Sequence, residues 1–241
     1  QPVTQETQLS QNEWTNRLRS NREGYKRFFQ VNHIHTKEAI KIFGNDAKDA
    51  LMSELNQMIQ MKVWRPVTTV PDGNKIISSF VFFKEKFNAD GEYLKLKARI
   101  VAAGNLQNRQ SISNISSPTI SIHTIFTLAA LAAKSCWYIC TVDIVAAYLN
   151  AKMEDKVYMK LDQQTAEIMC ELDANYIEYL NTNGTITVEL LRALYGCIQS
   201  AYLWYQHLRK TILEFGFNEC TSDRCLFKFE ENGSTVHVGI Y

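Results

Sequence analysis

The first candidate for chemistry is a single carboxylate, Asp143, at the end of an apolar segment. Tyr138–Val142 has the composition of a short buried strand, and the apolar residues Ile144–Leu149 follow the carboxylate directly. Burying a carboxylate costs free energy unless it is paired or binds a metal ion. Asp143 is therefore a candidate metal ligand and catalytic residue, although an aspartate that caps a helix would give a similar pattern.

Three cations alternate along a second segment. Lys95, Lys97 and Arg99 occupy every second position of a predicted strand, so they project from one face while apolar residues project from the other. The row predicts a weak, salt-sensitive affinity for nucleic acid or triphosphate. A solvated strand face without a ligand is the alternative that the pattern leaves open.

Composition limits where nucleic acid or a membrane could bind. The 241 residues carry a formal net charge of +1, so a nucleic-acid surface must be a local patch and not a general basic field. Hydrophobic residues make up 46% of the chain, which is enough for a substantial core. The six cysteines lack zinc-site spacing and are interpreted as reduced thiols of an intracellular protein. No apolar run reaches the ~20 residues needed to span a bilayer.

The remaining pattern predicts an α+β fold, with antiparallel strand pairs and helices packed on one face. Residues 1–45 are polar and aperiodic, which is typical of an arm or linker, and a helix is predicted from Asp46. Residues 75–102 predict a β-hairpin that turns at Asn88–Gly91. Further predicted elements are a buried helix from Ile122 to Ala133, a helix over 165–180 followed by a strand, a long helix from Ser200 to Phe215 with Phe215 inward, and a terminal hairpin across Asn232-Gly233.

A set of motifs runs through these elements in a fixed order. They are Val63-Trp64, Asp72–Ile76, Ser79–Lys84, Lys97–Gly104, Thr141–Ala151, Val157-Tyr158-Met159, Leu194–Ala201 with Trp204-Tyr205, and Gly216-Phe217 with Asp223 and Leu226-Phe227. In content and order they resemble the reverse transcriptase of Ty1/copia-type retrotransposons. The resemblance covers residues 47–241.

The resemblance implies the fingers and palm of a right-hand polymerase, with the thumb absent. Residues 1–45 would be an arm or linker and 46–118 the fingers. Residues 119–160 would form the first part of the palm, 161–199 a return to the fingers, and 200–241 an incomplete second part of the palm.

The resemblance also implies roles for individual residues. Asp143 would be the catalytic residue and Mg²⁺ ligand, because the aspartate of the matching motif binds two ions. Lys97 and Arg99 would hold the incoming triphosphate. Tyr148 would be the aromatic gate that excludes a 2′-hydroxyl, with an ordinary core tyrosine as the alternative. Gln199 matches a glutamine that contacts the nucleotide and the template.

The complete enzyme implied by the resemblance would extend a DNA primer on an RNA or DNA template, using dNTP and Mg²⁺. It would belong to a polyprotein with thumb, RNase H and integrase regions, and no membrane partner is expected. Its expected location is intracellular, in the cytoplasm within a virus-like particle or in the nucleus.

Three positions depart from the family pattern, and the sequence stops early relative to it. Ala103 and Ile198 replace family lysines, and Ala201 replaces a proline. The sequence stops at Tyr241, directly before the expected aspartate pair, so one of three expected carboxylates is present. We therefore expect a fragment without polymerase activity. A non-catalytic or domesticated nucleic-acid-binding module and a purely structural remnant are the alternatives.

Overall fold

A computed structural model describes residues 36–90, 92–109, 112 and 114–241. It begins with two helices, α1 (Thr36–Phe43) and α2 (Asn45–Gln60). The helix predicted from Asp46 is confirmed, and its apolar face is fully buried at Leu51, Leu55 and Met58. Helix α1 was not expected, because it lies inside the predicted arm and yet buries Ala39 completely. The rest of that arm, residues 1–35, lies outside the described residues.

A five-stranded sheet packs against these helices. Its strands are β1 (Trp64–Pro66), β2 (Ile76–Phe87), β3 (Tyr93–Ala102), β4 (Tyr158–Leu161) and β5 (Ile186–Leu190), in the order β1-β5-β4-β2-β3. The prediction of an α+β class is confirmed, but the prediction of an antiparallel sheet is wrong, because β2 and β4 pair in parallel. The long connection between these two strands lets the chain re-enter the sheet in the same direction.

The predicted hairpin is confirmed as β2 and β3, which pair from Ser79↔Ala102 to Phe87↔Tyr93. The side chain of Asn88 forms the turn, because its Oδ1 accepts from the amides of Asp90 (3.0 Å) and Glu92 (2.8 Å). Along β3 the inward residues Leu96, Ala98 and Ile100 are buried, while Lys95, Lys97 and Arg99 are exposed on the opposite face.

A smaller sheet follows with the order β6-β7-β8, made of β6 (Asn218–Cys220), β7 (Asp223–Glu231) and β8 (Ser234–Gly239). It packs on the last helix, α5 (Ser200–Glu214), around Tyr205, Ile212 and Phe227. The predicted terminal hairpin is confirmed. The predicted inward position of Phe215 is wrong: the helix ends before it, and the ring is 74% exposed.

The segment over 165–180 consists of two pieces rather than one helix. Helix α4 (Gln163–Leu172) ends at Asp173, and a 3₁₀ helix (Ala174–Tyr179) begins there. Asp173 starts the second piece because its carboxylate accepts from the amide of Asn175 at 3.0 Å. The strand predicted to follow is β5.

Helix α3 (Ile122–Ser135) forms as predicted, but it is not buried. Phe126 is 68% exposed, and Ala132 alone within the helix is buried. Apolar residues occur around most of the helix, whereas the described chain packs against one side of it, through Ile125 and Leu128. The start of α3 is held by Asp223, whose carboxylate accepts from the amide of Ser121 at 2.9 Å. This bond, with a second from the amide of Cys225, lowers the pKa of Asp223.

The predicted buried strand over Tyr138–Val142 is also wrong. The segment has no regular structure, and Tyr138 and Val142 are almost fully exposed. A strand is stable only when its backbone pairs with a neighbour, and in the described part of the chain no strand pairs with this segment. No described helix is long and apolar enough to cross a membrane.

Two glycines join the end of β3 to the loop before α5. The amide of Ala102 donates to the carbonyl of Tyr195 at 2.8 Å. A Cβ on Gly104 would lie 1.9 Å from the carbonyl oxygen of Gly196, and a Cβ on Gly196 would lie 2.1 Å from that of Ala102. The two backbones can meet only because both positions lack a side chain.

We expect Gly196→Ala to lower the free energy of unfolding by about 3 kcal/mol or more, through backbone overlap added to a left-handed φ. Gly73→Ala is the matched control, because Gly73 has a similar φ (+82° against +89°) and no atom within 4 Å of a built Cβ. It should cost about 1 kcal/mol. Urea unfolding of both variants measures the difference, and equal losses would show that the contact with β3 is unimportant.

Candidate functional site

Three side chains from distant parts of the chain meet beside the hairpin. The guanidinium carbon of Arg99 lies 5.4 Å from the centre of the Tyr195 ring, within cation–π range. On the same ring packs Tyr148, with a centroid distance of 4.9 Å and a tilt of 47°. We call Arg99, Tyr195 and Tyr148 the Tyr195 stack. It brings together two residues that the sequence predicted and one, Tyr195, for which it predicted no role.

Tyr148 is placed by a single 3₁₀ turn, Ala147–Asn150. Leu149 anchors the turn in the main core, and the guanidinium of Arg192 donates to the carbonyl of Asn150 at 3.2 Å. The Tyr148 ring itself is half-buried. The ring packs on a neighbour and still reaches the surface. Both interpretations of Tyr148, as an aromatic gate and as an ordinary core tyrosine, therefore stay open.

The hairpin carries more positive charge than β3 alone suggested. The strand register pairs Lys84 with Lys97 and Lys86 with Lys95, so these lysines share one face with Arg99. We call these five side chains the cationic face. Like charges directly opposite each other destabilise a strand pair, and within the described residues none of the five forms an ion pair with a carboxylate. Such a face is suited to an anionic ligand.

A cavity of about 340 Å³ opens on this face. Its lining includes four members of the cationic face, Lys84, Lys86, Lys97 and Arg99, together with the ring of Tyr195. Lys84 and Lys86 were missed from the sequence. The turn at Asn88–Gly91 contained the necessary signal, because it sets which residues of β2 face the cations of β3.

A buried carboxylate, Glu54 of α2, lies behind the hairpin. Its Oε1 accepts from the amide of Ile100 at 3.4 Å, and its charge is attracted to Lys97 and Arg99. Burial nevertheless raises the pKa of Glu54, since desolvation outweighs these favourable interactions. Burial also raises the pKa of Tyr195, which Arg99 lowers and the charge of Glu54 raises further.

Asp143 is exposed and has a small electrostatic influence on the stack. Its charge raises the pKa of Tyr195, but ranks after burial, the charge of Glu54 and that of Tyr148. The segment that carries it starts against β8, where the Trp137 ring stacks on His237 at 5.4 Å. The aspartate pair that the resemblance places after Tyr241 would share metal ions with Asp143, so we predict that Asp143 lies beside Tyr241.

Asp143 offers one carboxylate to a metal ion. Among the described residues there is no group of three or more His, Cys, Asp or Glu side chains that could hold one. Because Mg²⁺ requires octahedral coordination by oxygen, Asp143 fits as one ligand of a larger set and not as a site by itself.

Gln199 does not line the open cavity. It is buried, its Oε1 accepts from Nε2 of Gln107 at 3.1 Å, and its Nε2 donates to Asp155 at 3.3 Å. Gln107 also accepts from the amide of Ile198 at 2.8 Å. In this structure the Gln199 amide therefore braces the loop before α5, and contact with a nucleotide stays a prediction.

Comparison with known proteins gives one family and relatives of the same kind. Residues 61–241 match the family described as reverse transcriptase (RNA-dependent DNA polymerase). The chain is 30% identical to the retrovirus-related Pol polyprotein from transposon RE1 of Arabidopsis thaliana, over 80% of this chain and 12% of that protein. It is 27% identical to the transposon Ty1-DR4 Gag-Pol polyprotein of Saccharomyces cerevisiae, over 75% of this chain and 10% of that protein. The chain thus spans a small part of each relative. No solved structure matches it.

The buried carboxylate predicts a pH dependence of stability. Because the pKa of Glu54 is raised in the folded protein, its contribution to stability is greatest below the unfolded value of 4.5 and is lost as pH rises through the folded pKa. Glu54→Gln keeps an acceptor for the Ile100 amide and should abolish this loss. We expect the variant to be at least as stable as the parent at neutral pH.

Urea unfolding between pH 4 and 8 tests this expectation. Glu38→Gln, at an exposed position of α1, is the control for a simple change in net charge. If Glu54→Gln became less stable relative to the parent as the pH rose, attraction of the ionised Glu54 to Lys97 and Arg99 would outweigh the cost of burial.

Proposed function

We infer that this chain, which belongs to the copia-type branch of the reverse transcriptase (RNA-dependent DNA polymerase) family, contributes the nucleotide-binding side of an RNA-directed DNA polymerase. The family membership establishes a fragment of such a polymerase within a polyprotein context. The proposal adds the substrate: a deoxynucleoside triphosphate, with an RNA template and a DNA primer. The observation that carries it is the junction of the cationic face with the Tyr195 stack at one cavity.

The cationic face supplies the triphosphate contact. Lys97 and Arg99 are exposed, line the cavity and form no ion pair with a carboxylate among the described residues. A nucleoside triphosphate carries several negative charges, and cations that meet it from two strands would hold the leaving pyrophosphate in place. Lys84 and Lys86 extend this contact across the hairpin.

Tyr148 supplies the sugar contact. Its ring packs on Tyr195, the same ring that Arg99 contacts. A ring beside the sugar would clash with a 2′-hydroxyl and would favour deoxyribose. The proximity of Arg99 and Tyr148 to a single ring supports a nucleotide that reaches from one to the other.

Asp143 would hold Mg²⁺ together with further carboxylates. The ion would supply charge stabilisation at the α-phosphate, where the primer 3′-hydroxyl attacks in line. The residues of this chain do the rest: they bind the triphosphate, orient the sugar and fix the hairpin against the loop before α5.

A second candidate is a non-catalytic nucleic-acid-binding module. It is favoured by the replacement of two family lysines, by Ala103 and Ile198, in a chain that keeps the five positive charges of the cationic face. Both proposals predict binding and differ in whether chemistry follows once further carboxylates are supplied.

We expect the chain to bind a template-primer and dATP weakly and in a salt-sensitive way. The double variant Lys97→Ala/Arg99→Ala should lower affinity for the template-primer by about tenfold or more at low salt and reduce the slope of log affinity against log salt by about one to two. Fluorescence anisotropy with a labelled template-primer measures both quantities.

The control removes two cations from a different surface. Lys37→Ala/Lys41→Ala changes net charge equally, and both lysines are exposed on α1. If the two double variants behave alike, the binding depends on net charge and the cationic face has no special role.

We expect the 241-residue polypeptide by itself to extend no primer. Two-metal phosphoryl transfer needs carboxylates that converge from more than one strand, and Asp143 is the one family-matched carboxylate in these residues. The measurement is dTTP incorporation on poly(rA)/oligo(dT) with Mg²⁺, and the parent should equal Asp143→Asn. Incorporation well above the buffer value that Asp143→Asn abolishes would contradict the expectation.

A further inference from the structure

Tyr195 makes contacts that the proposed function has not yet used. Its ring is the shared neighbour of Arg99 and Tyr148, which come from β3 and from the 3₁₀ turn Ala147–Asn150. In the proposed function Arg99 faces the triphosphate and Tyr148 faces the sugar. A change at the Tyr195 ring therefore reaches both contacts at once.

We propose that Tyr195 is a positioning residue that holds the Arg99 guanidinium and the Tyr148 ring in register and so couples triphosphate recognition to sugar recognition. The proposal rests on the proposed function, because it concerns the same nucleotide. It assigns Tyr195 no contact with the reacting atoms.

The backbone fixes the ring relative to β3. The carbonyl of Tyr195 accepts from Ala102, and the next residue, Gly196, lies against Ala102 and Gly104 without room for a side chain. Arg99 lies on the same strand as Ala102. Backbone contacts at one end of β3 consequently hold the segment of Tyr195 beside the strand that carries Arg99, and the ring is then close enough to attract the guanidinium.

The aromatic ring, and not the hydroxyl, carries the effect. Within the described residues the Tyr195 hydroxyl forms no hydrogen bond. A cation over an aromatic face is attracted by the ring, and phenylalanine retains that attraction. Tyr195→Phe should therefore preserve the position of Arg99, and Tyr195→Leu should lose it.

The experiment compares ligands that differ by one group. Binding of dATP, ATP and dAMP to the 241-residue chain is followed by NMR titration, with ³¹P signals for the phosphates and ¹H signals for the sugars. Two ratios are measured: the preference for dATP over dAMP and the preference for dATP over ATP. A general loss of folded protein scales all three affinities together and leaves both ratios unchanged.

Tyr195→Leu should reduce both preferences by about threefold to tenfold, the range that one cation–π contact supports. Tyr195→Phe should leave both preferences within about twofold of the parent, a change worth less than about 0.5 kcal/mol.

Tyr179→Leu is the matched control, because Tyr179 is also half-buried but packs against the main core elsewhere. It should change neither ratio. Tyr195→Met, whose flexible side chain fills irregular space, replaces the leucine variant if that variant does not fold.

Several results would overturn the proposal. If Tyr195→Leu or Tyr195→Met left the two nucleotide preferences unchanged, Tyr195 would contribute to packing alone. Equal changes in Tyr195→Phe and Tyr195→Leu would assign the effect to the hydroxyl. Loss of one preference without the other would remove the coupling.

A second measurement separates this proposal from the proposed function. The side-chain NMR signals of Arg99 should show a ring-current shift that Tyr195→Phe keeps and Tyr195→Leu removes, without any nucleotide present. If the parent bound no nucleotide, the proposed function would fail, and these signals alone would decide whether Tyr195 holds the guanidinium. Arg99 signals that are the same in all variants would overturn the positioning role.

Discussion

The close contact between two backbones, at Gly104 and Gly196, is the constraint on which the candidate site depends. It joins the end of β3 to the loop before α5, and the hydrogen bond from Ala102 to Tyr195 completes it. Any side chain at either glycine would separate the hairpin from the loop. The ring of Tyr195 would then move away from Arg99, and the neighbouring Gln107–Gln199 bridge would open. Backbone geometry therefore brings the two segments within reach of each other, and the attraction between the Tyr195 ring and the Arg99 guanidinium acts at the distance that the backbone allows.

Electrostatics on the hairpin works against folding and in favour of binding. Cross-strand lysine pairs repel each other, and the cationic face has no carboxylate partner on its own side in the described structure. The opposing charge comes from Glu54, which reaches the backbone of β3 from the other side and remains buried at a cost in desolvation. An anion on the exposed face would relieve the repulsion directly. A hairpin with this charge distribution gains more from a phosphate ligand than one whose cations are already paired.

The sequence predicted those elements whose stabilising contacts are local. Helix α2, the hairpin with its Asn88 turn, and the terminal hairpin all follow from periodicity and turn chemistry, and the family resemblance is confirmed. Prediction from the sequence failed where an element depends on a distant partner. The strand predicted at Tyr138–Val142 has suitable residues but no strand beside it, and the parallel pairing of β2 with β4 has no local signal. Tyr195 was overlooked for the same reason, since its importance comes from two residues far away in sequence.

The Arg99–Tyr195 contact and the Asp143 carboxylate differ in how firmly the described contacts hold them. Arg99 and Tyr195 belong to segments tied by backbone hydrogen bonds and glycine contacts, so the groups proposed to bind phosphate are held in place before a ligand arrives. Asp143 follows an exposed apolar segment without strand pairing, and its carboxylate makes no hydrogen bond within the described residues. Regular backbone pairing normally places a catalytic carboxylate to within a fraction of an ångström, which metal-dependent transfer requires. The groups proposed to bind the nucleotide are consequently fixed by regular structure, whereas the proposed metal ligand, Asp143, is not.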